Sequence, residues 1–349
     1  MNTRNHLWQV AIALATITLL VSAQVQADVG EDRAHAAGAS LIGKPAPALV
    51  LRTIDGDSID LGALYGHKAV YLKFWATWCV PCREQMPHFE HAFETAGPNL
   101  AVIAVNAGFS DTLADVQDYR LHLGLKMPIV IDDGRLAAAF NLRVTPQHVI
   151  IGRDGRIAYI GHLADAKLEE ALAAAKESPV ASPARAAAIA PTTHYAIGDR
   201  LPALSAKALD GSSVRFADPD GKRSTVLVFM SPWCESYLAK SRPERSAACR
   251  TVREQVAKRA NDPGVRWVGI ASGLWAGSDE LVTYRDQFRI AMPLVLDTSG
   301  DLFRAFGVTG VPTLILISPS ARLVRRIDTP DPALAADVAT LAAAAPVTH

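Results

Sequence analysis

Two of the four cysteines in this 349-residue chain, Cys79 and Cys82, are separated by only two residues. Thiols so spaced can close a reversible disulfide or supply half of a zinc site. The zinc reading needs a second ligand pair at suitable spacing, and none follows. His88 and His91, on the adjoining helical stretch, read as solvated or packed side chains. The surrounding segment, Phe74-Trp75-Ala76-Thr77-Trp78-Cys79-Val80-Pro81-Cys82, favours redox chemistry. An apolar strand runs out, the chain turns, and a helix begins at or just before the first thiol. Unpaired backbone N–H groups and the positive end of the helix dipole then face the Cys79 sulfur and favour its ionised form. The thiolate is the attacking species in disulfide exchange, so Cys79 is expected to be the nucleophile. Cys82, one helical turn later, is placed to resolve a mixed disulfide. Pro81 lacks only an N–H that the first turn leaves unpaired in any case.

A second element bears on this pair. Thr145-Pro146 stands just before the apolar run Val149–Ile151, and Val311-Pro312 before Thr313–Ile317. Proline cannot donate to a sheet ladder, so its place ahead of a central strand calls for a reason. A cis peptide there would leave the preceding backbone free to dock an extended substrate; an ordinary trans turn is the alternative.

These residues need a scaffold, and the sequence supplies it twice. Ile42-Gly43-Lys44-Pro45-Ala46-Pro47 is echoed by Ile197-Gly198-Asp199-Arg200-Leu201-Pro202, and Phe74 to Cys79 by Phe229-Met230-Ser231-Pro232-Trp233-Cys234. Further on, Met127-Pro128-Ile129-Val130-Ile131-Asp132 matches Met292-Pro293-Leu294-Val295-Leu296-Asp297. Matches that keep their order over a domain length indicate tandem copies. Each copy alternates strand and helix and ends in a hairpin, which implies an α/β fold with a mixed central sheet and helices on both faces. In the first copy, strands are expected at Ala69–Phe74, Leu100–Val105, Ile129–Ile131, Val149–Ile151 and Arg156–Ile160. Its helices are expected at Glu84–Thr95, Leu113–Leu123 and Asp165–Ala175. The second copy repeats the strands at Thr225–Phe229, Arg266–Ile270, Leu294–Leu296, Thr313–Ile317 and Leu323–Ile327. The copies are expected over 41–176 and 197–345, joined by a Pro/Ala-rich linker at 177–196. An alanine-rich closing helix is expected after Asp331-Pro332.

The second copy departs from the first. Cys234 stands where Cys79 does, but Glu235-Ser236-Tyr237 follows, so the resolving cysteine is missing. Three readings stay open. Cys234 could pair with Cys249, although one continuous helix would hold them about 22 Å apart, and Pro243 must then break the helix and fold it back. Cys234 could act as a lone nucleophile beside Pro312, or the copy could be structural. A peroxidase of the usual peroxiredoxin pattern would carry Pro and Thr ahead of the attacking Cys; Leu227 and Ser231 stand at those positions.

Composition sets the surroundings. Lys plus Arg equals Asp plus Glu at 35 each, which leaves no electrostatic footprint for nucleic acid. Arg4, the apolar run Leu7 to Val21 and the small-residue stretch Val25-Gln26-Ala27 read as a cleaved signal peptide over 1–27, with an uncleaved anchor facing the periplasm as the alternative. No cysteine lies near the cleavage site, which excludes lipid attachment there. The chain is thus expected to be exported, most simply to the periplasm, where disulfides persist.

The run Trp78-Cys79-Val80-Pro81-Cys82-Arg83-Glu84-Gln85-Met86-Pro87 resembles the active-site segment of exported thioredoxin-like oxidoreductases of the TlpA/ResA type. The resemblance covers about 41–176, including the opening Ile42 to Pro47 and the long interval between Cys79 and Pro146. It implies two tandem thioredoxin-like folds, the second degenerate, with a Cys79–Cys82 redox pair. It also implies Thr145–Pro146 as a cis-proline loop that, with Trp78 and Pro81, meets the substrate. No cofactor and no metal is required. The implied partners are exported proteins with cysteine pairs, and a membrane electron donor if the enzyme works as a reductase. A copper(I)-binding or chaperone-like module is the rival reading, since soft ions suit thiolates. Two departures stand out. Lys73 occupies the place of the buried acid of thioredoxins; either its ammonium reaches the thiol pair, or its stem packs while the head reaches water. Gln147 and His148 follow Pro146 where small or aromatic residues are usual; a strand histidine there reads as structural or as a group titrating near the groove.

Overall fold

The computed structural model describes residues 29–178, 184–187 and 193–328. The signal segment 1–27, much of the expected linker and the helix expected after Asp331 lie outside the described residues.

Residues 29–38, ahead of the expected start of the first copy, are helical (α1) and pack on it, burying Ala34 and Ala37. There follow β1 (Val50–Arg52), β2 (Ser58–Asp60), α2 (Leu61–Leu64), β3 (Ala69–Trp75), α3 (Val80–Glu84), α4 (Met86–Glu94) and β4 (Leu100–Asn106). Then come α5 (Leu113–Leu123), β5 (Ile129–Ile131), α6 (Arg135–Ala139), β6 (Gln147–Ile151), β7 (Ile157–Gly161) and α7 (Ala166–Glu177). The second copy contains β8 (Ser205–Lys207), β9 (Ser213–Arg215), β10 (Ser224–Met230), α8 (Cys234–Ser241), α9 (Pro243–Arg259) and β11 (Val265–Ser272). It closes with α10 (Ser278–Phe288), β12 (Leu294–Asp297), α11 (Asp301–Ala305), β13 (Thr313–Ile317) and β14 (Leu323–Ile327).

Each copy builds a five-stranded mixed sheet, in the order β5-β4-β3-β6-β7 and β12-β11-β10-β13-β14. The first three strands of each run parallel and the terminal hairpin antiparallel. This is the tandem α/β architecture anticipated from the repeats, with the thioredoxin-like fold that the resemblance implies.

Strands β3 and β10 are buried over their whole length, which is why they read as nearly unbroken apolar runs. Their side chains still alternate between two faces. Val70, Leu72 and Phe74 pack into a core with Ile103, Val149 and Phe140, while Tyr71 and Trp75 face the helices that follow the thiol pair. Lys73 shares that second face by the same alternation.

The helix expected over Glu84–Thr95 is interrupted. Segment α3 ends at Glu84 and α4 starts at Met86, with Gln85 between them. Pro87 has no N–H to give the Arg83 carbonyl, so the helix cannot run through. In the second copy, Pro243 opens α9 after Arg242 ends α8, and the two helices pack side by side.

Candidate active site

Cys79 is the N-cap of α3, with extended backbone, and Cys82 lies one turn inside. The two are joined as a disulfide with Cα atoms 5.2 Å apart. The backbone N–H of Cys82 points at Cys79 Sγ from 3.2 Å, as a capping donor would point at a serine oxygen. An anion on Cys79 therefore meets a donor already in position, together with the positive helix terminus. Facing it, the carbonyl oxygen of Thr145 lies 3.3 Å from Cys79 Sγ. The Thr145–Pro146 and Val311–Pro312 bonds are both cis.

Behind this pair the sheet holds several buried polar groups. His148, opposite Lys73 in the β3–β6 register, uses both ring nitrogens. Its Nε2 donates to Gln85 Oε1 and its Nδ1 accepts from the Tyr71 hydroxyl, each at 2.8 Å. Burial, with Lys73 nearby, holds His148 well below its ordinary range, so it is a neutral structural group. It does not titrate in a groove. His162 donates from Nδ1 to the Pro146 carbonyl at 2.6 Å and so braces the proline loop from behind. Lys73 is fully buried, and among the described residues its Nζ has no hydrogen-bond partner. The expectation that its head could reach water is overturned. The strand is central and covered on both faces, and Nζ lies 5.5 Å from the centre of the Phe89 ring. Burial lowers its pKa from 10.5 to about 7. His88 binds Glu169 at the surface.

The expected substrate-contacting residues are not equally open. Val80 is 51 % exposed and Pro81 is half-buried, but Cys79 is 1 % and Trp78 2 % exposed. Thr145 and Pro146 are buried as well. The covering groups come from the second copy, and nothing in the residue pattern points to them. The Tyr237 hydroxyl accepts the Val80 N–H at 3.1 Å, and Trp275 Nε1 donates to Thr145 Oγ1 at 3.2 Å. Arg242 donates to Thr77 Oγ1 at 2.6 Å and forms ion pairs with Asp111 and Asp115 at 3.3 and 3.1 Å. Asp111 is itself held by Thr77 and Asn106. Trp233, which echoes Trp78 in the sequence, packs on that ring with centroids 5.1 Å apart; the echo marks equivalent positions but not their meeting.

In the second copy, Cys234 and Cys249 form a disulfide between α8 and α9, with Cα atoms 6.3 Å apart. Of the three readings left open, the folded-back pairing is the one observed. Both residues are buried, and the Val311 carbonyl, counterpart of that of Thr145, accepts from Arg245 Nη1 at 3.0 Å. Pro312 is buried beside them.

Thiol–disulfide exchange is the chemistry open to a thiol pair seated in this way on a thioredoxin-like sheet, and the class is that of the thiol–disulfide oxidoreductases. Sequence comparison with curated relatives agrees. Residues 42–160 match the AhpC/TSA family. Over 174 residues the chain is 33 % identical to the thiol-disulfide oxidoreductase ResA of Halalkalibacterium halodurans, spanning 49 % of this chain and 95 % of that one. It is 33 % identical to the ResA of Bacillus thuringiensis, over 33 % of this chain and 66 % of that one. It is 33 % identical to the thioredoxin-like protein YneN of Bacillus subtilis, over 37 % and 78 %. A solved thiol:disulfide interchange protein of the thioredoxin family from Chlorobium tepidum is 27 % identical over 38 % of this chain and 95 % of that one, with a TM-score of 0.33. The chain belongs to the ResA-type family of thiol–disulfide oxidoreductases.

Proposed function

We propose that this enzyme exchanges disulfides with exported proteins through Cys79 as nucleophile and Cys82 as resolving thiol. In the reducing direction, the Cys79 thiolate attacks one sulfur of a partner disulfide. A Cys79–partner S–S bond forms, the partner's own S–S bond breaks, and the released partner thiolate takes up a proton. The Cys82 thiolate then attacks Cys79 Sγ, closing the Cys79–Cys82 disulfide and expelling the second partner thiol. Two electrons have passed to the partner, and a membrane donor would return them; the oxidising direction is the reverse sequence. The observation that carries this reading is the Cys82 N–H held 3.2 Å from Cys79 Sγ, which stabilises the thiolate as attacker and as leaving group.

In this reading the segment 1–27 directs export to the periplasm. The units 41–176 and 197–345 divide the work, and 177–196 links them. Trp78, Pro81, Thr145 and Pro146 form the substrate contact. Cys234 and Cys249 serve as a staple between two helices, a role supported by their burial and by the Arg245 guanidinium on the Val311 carbonyl. Among the described residues no helix is long and apolar enough to cross a membrane.

The test is a trapping experiment with Cys82→Ser in the full chain. Incubated with a disulfide-containing protein such as insulin, it should accumulate a mixed disulfide that peptide mapping assigns to Cys79. Absence of that adduct, with insulin reduction surviving in Cys79→Ser, would overturn the assignment.

A further inference from the structure

We infer that the second copy is a built-in occupant of the first copy's substrate groove, and that a polypeptide substrate reaches Cys79 only after displacing it. The inference rests on the exchange reading above and adds its regulation. Three observations carry it.

The first is symmetry. Phe74 and Phe229 pair with Val105 and Ile270 in their sheets, so the loops that follow are equivalent at an offset of 165 residues. On that offset Ser110 matches Trp275, and both have the same left-handed backbone, with φ of 61° and 55°. The N–H of Ser110 donates to the Thr309 carbonyl at 2.6 Å, and the N–H of Trp275 donates to the Arg143 carbonyl at 2.8 Å. Arg143 and Thr309 each stand three residues before a cis-proline. The two copies therefore face each other across a local two-fold axis, each laying the same loop on the other's proline loop. Such reciprocity is the mark of an isologous interface.

The second observation is what the loop does. Main-chain pairing to the segment before the cis-proline, with a side chain bonded to Thr145, is how an extended peptide would be gripped there. Trp275 supplies both contacts, through its N–H to Arg143 and its indole to Thr145 Oγ1. It occupies the substrate's place without offering a sulfur.

The third is the closure around it. Trp233 and Tyr237 pack on Trp78 with ring centroids 5.1 and 6.1 Å away, and Phe303 lies 6.0 Å from Phe109. Buried apolar groups run without a break from one copy into the other. Among the described residues, the edge of the site at Val80 and Pro81 remains open, while the sulfur that must be attacked in line is shut away.

The test uses the full chain with Arg242→Ala and, separately, Tyr237→Phe, which remove cap contacts on the second copy and leave both thiols in place. Two rates are read: alkylation of reduced Cys79 by iodoacetamide, and reduction of insulin against reduction of glutathione disulfide. Arg242→Ala should speed alkylation and insulin reduction by about tenfold, the factor that about 1.4 kcal/mol makes in an opening equilibrium. Tyr237→Phe should shift both in the same direction by less, and glutathione disulfide should gain least. Unchanged alkylation in both folded variants, with wild-type insulin reduction as fast as theirs, would overturn the cap and leave the exchange reading intact. Faster alkylation with no reduction of either disulfide would overturn the exchange reading and support the cap.

Discussion

Trp78 and Trp233 occupy the same position in the two copies, and their rings lie against each other with centroids 5.1 Å apart at 31° between planes. Each indole N–H is spent on an equivalent carbonyl of its own copy, Trp78 on Phe109 at 2.8 Å and Trp233 on Leu274 at 2.7 Å. The residue that precedes the reactive thiol is thus the centre of the contact that covers it, which ties access to stability.

Trp78→Ala should therefore be costly. Removing a large buried aromatic leaves a cavity and an unpaired Phe109 carbonyl, and a loss of about 3–5 kcal/mol is expected. Urea unfolding followed by far-UV circular dichroism would measure it. A change under about 1 kcal/mol would mean that the site rearranges freely around the missing ring.

The acidity of Cys79 follows from the capping geometry. Alkylation of the reduced protein followed against pH should show a midpoint below the ordinary cysteine value of about 8.5. A profile that coincides with that of a free thiol would show that the Cys82 N–H and the helix terminus do not stabilise the anion.

Lys73 gives a pH dependence whose sign can be worked out. Its folded value of about 7 lies below the ordinary 10.5, so between those limits the unfolded chain holds a proton that the folded chain does not. Its contribution to stability is fully present above about 10.5 and is lost as pH falls towards 7. Lys73→Met should remove this slope and raise stability at pH 7 by roughly 1–3 kcal/mol, since an unpartnered buried amine is replaced by an apolar group of similar length. Urea midpoints for both proteins between pH 6 and 9.5 provide the check, and two parallel curves would refute it.

Replacing Cys234 and Cys249 together by Ser and Ala should lower stability by about 3 kcal/mol, the entropic value of closing a loop of fifteen residues. Disulfide exchange through Cys79 should continue in the folded protein. Loss of exchange at unchanged stability would assign the second pair a redox role.

The legible part of this architecture was what neighbours in the chain decide. The span Leu113–Leu123 forms a helix as its pattern indicated, capped by Thr112 with Asp115, and Ile129–Ile131 and Thr313–Ile317 are strands over the expected residues. The break at Gln85 is hidden in the sequence although Pro87 announces it, because the apolar spacing of Met86, Phe89 and Phe93 continues across the break. The site divides in the same way. Cys79 and Cys82 are brought together by three residues of chain, whereas Arg242 and Thr77 meet across 165 positions and leave no periodic trace.

The amino-acid sequence by itself determined the reactive pair, the duplication and the order of strands and helices. These rest on spacing, backbone preference and alternation of apolar residues, all of which act over a few residues at a time. Tertiary structure alone decided that Lys73 is sealed from water, that Cys234 joins Cys249, and that Trp275 of the second copy bonds Thr145 of the first. Each of these depends on which surfaces bury one another, and that is set by the shape of the assembled core, where segments far apart in the chain compete for the same contacts.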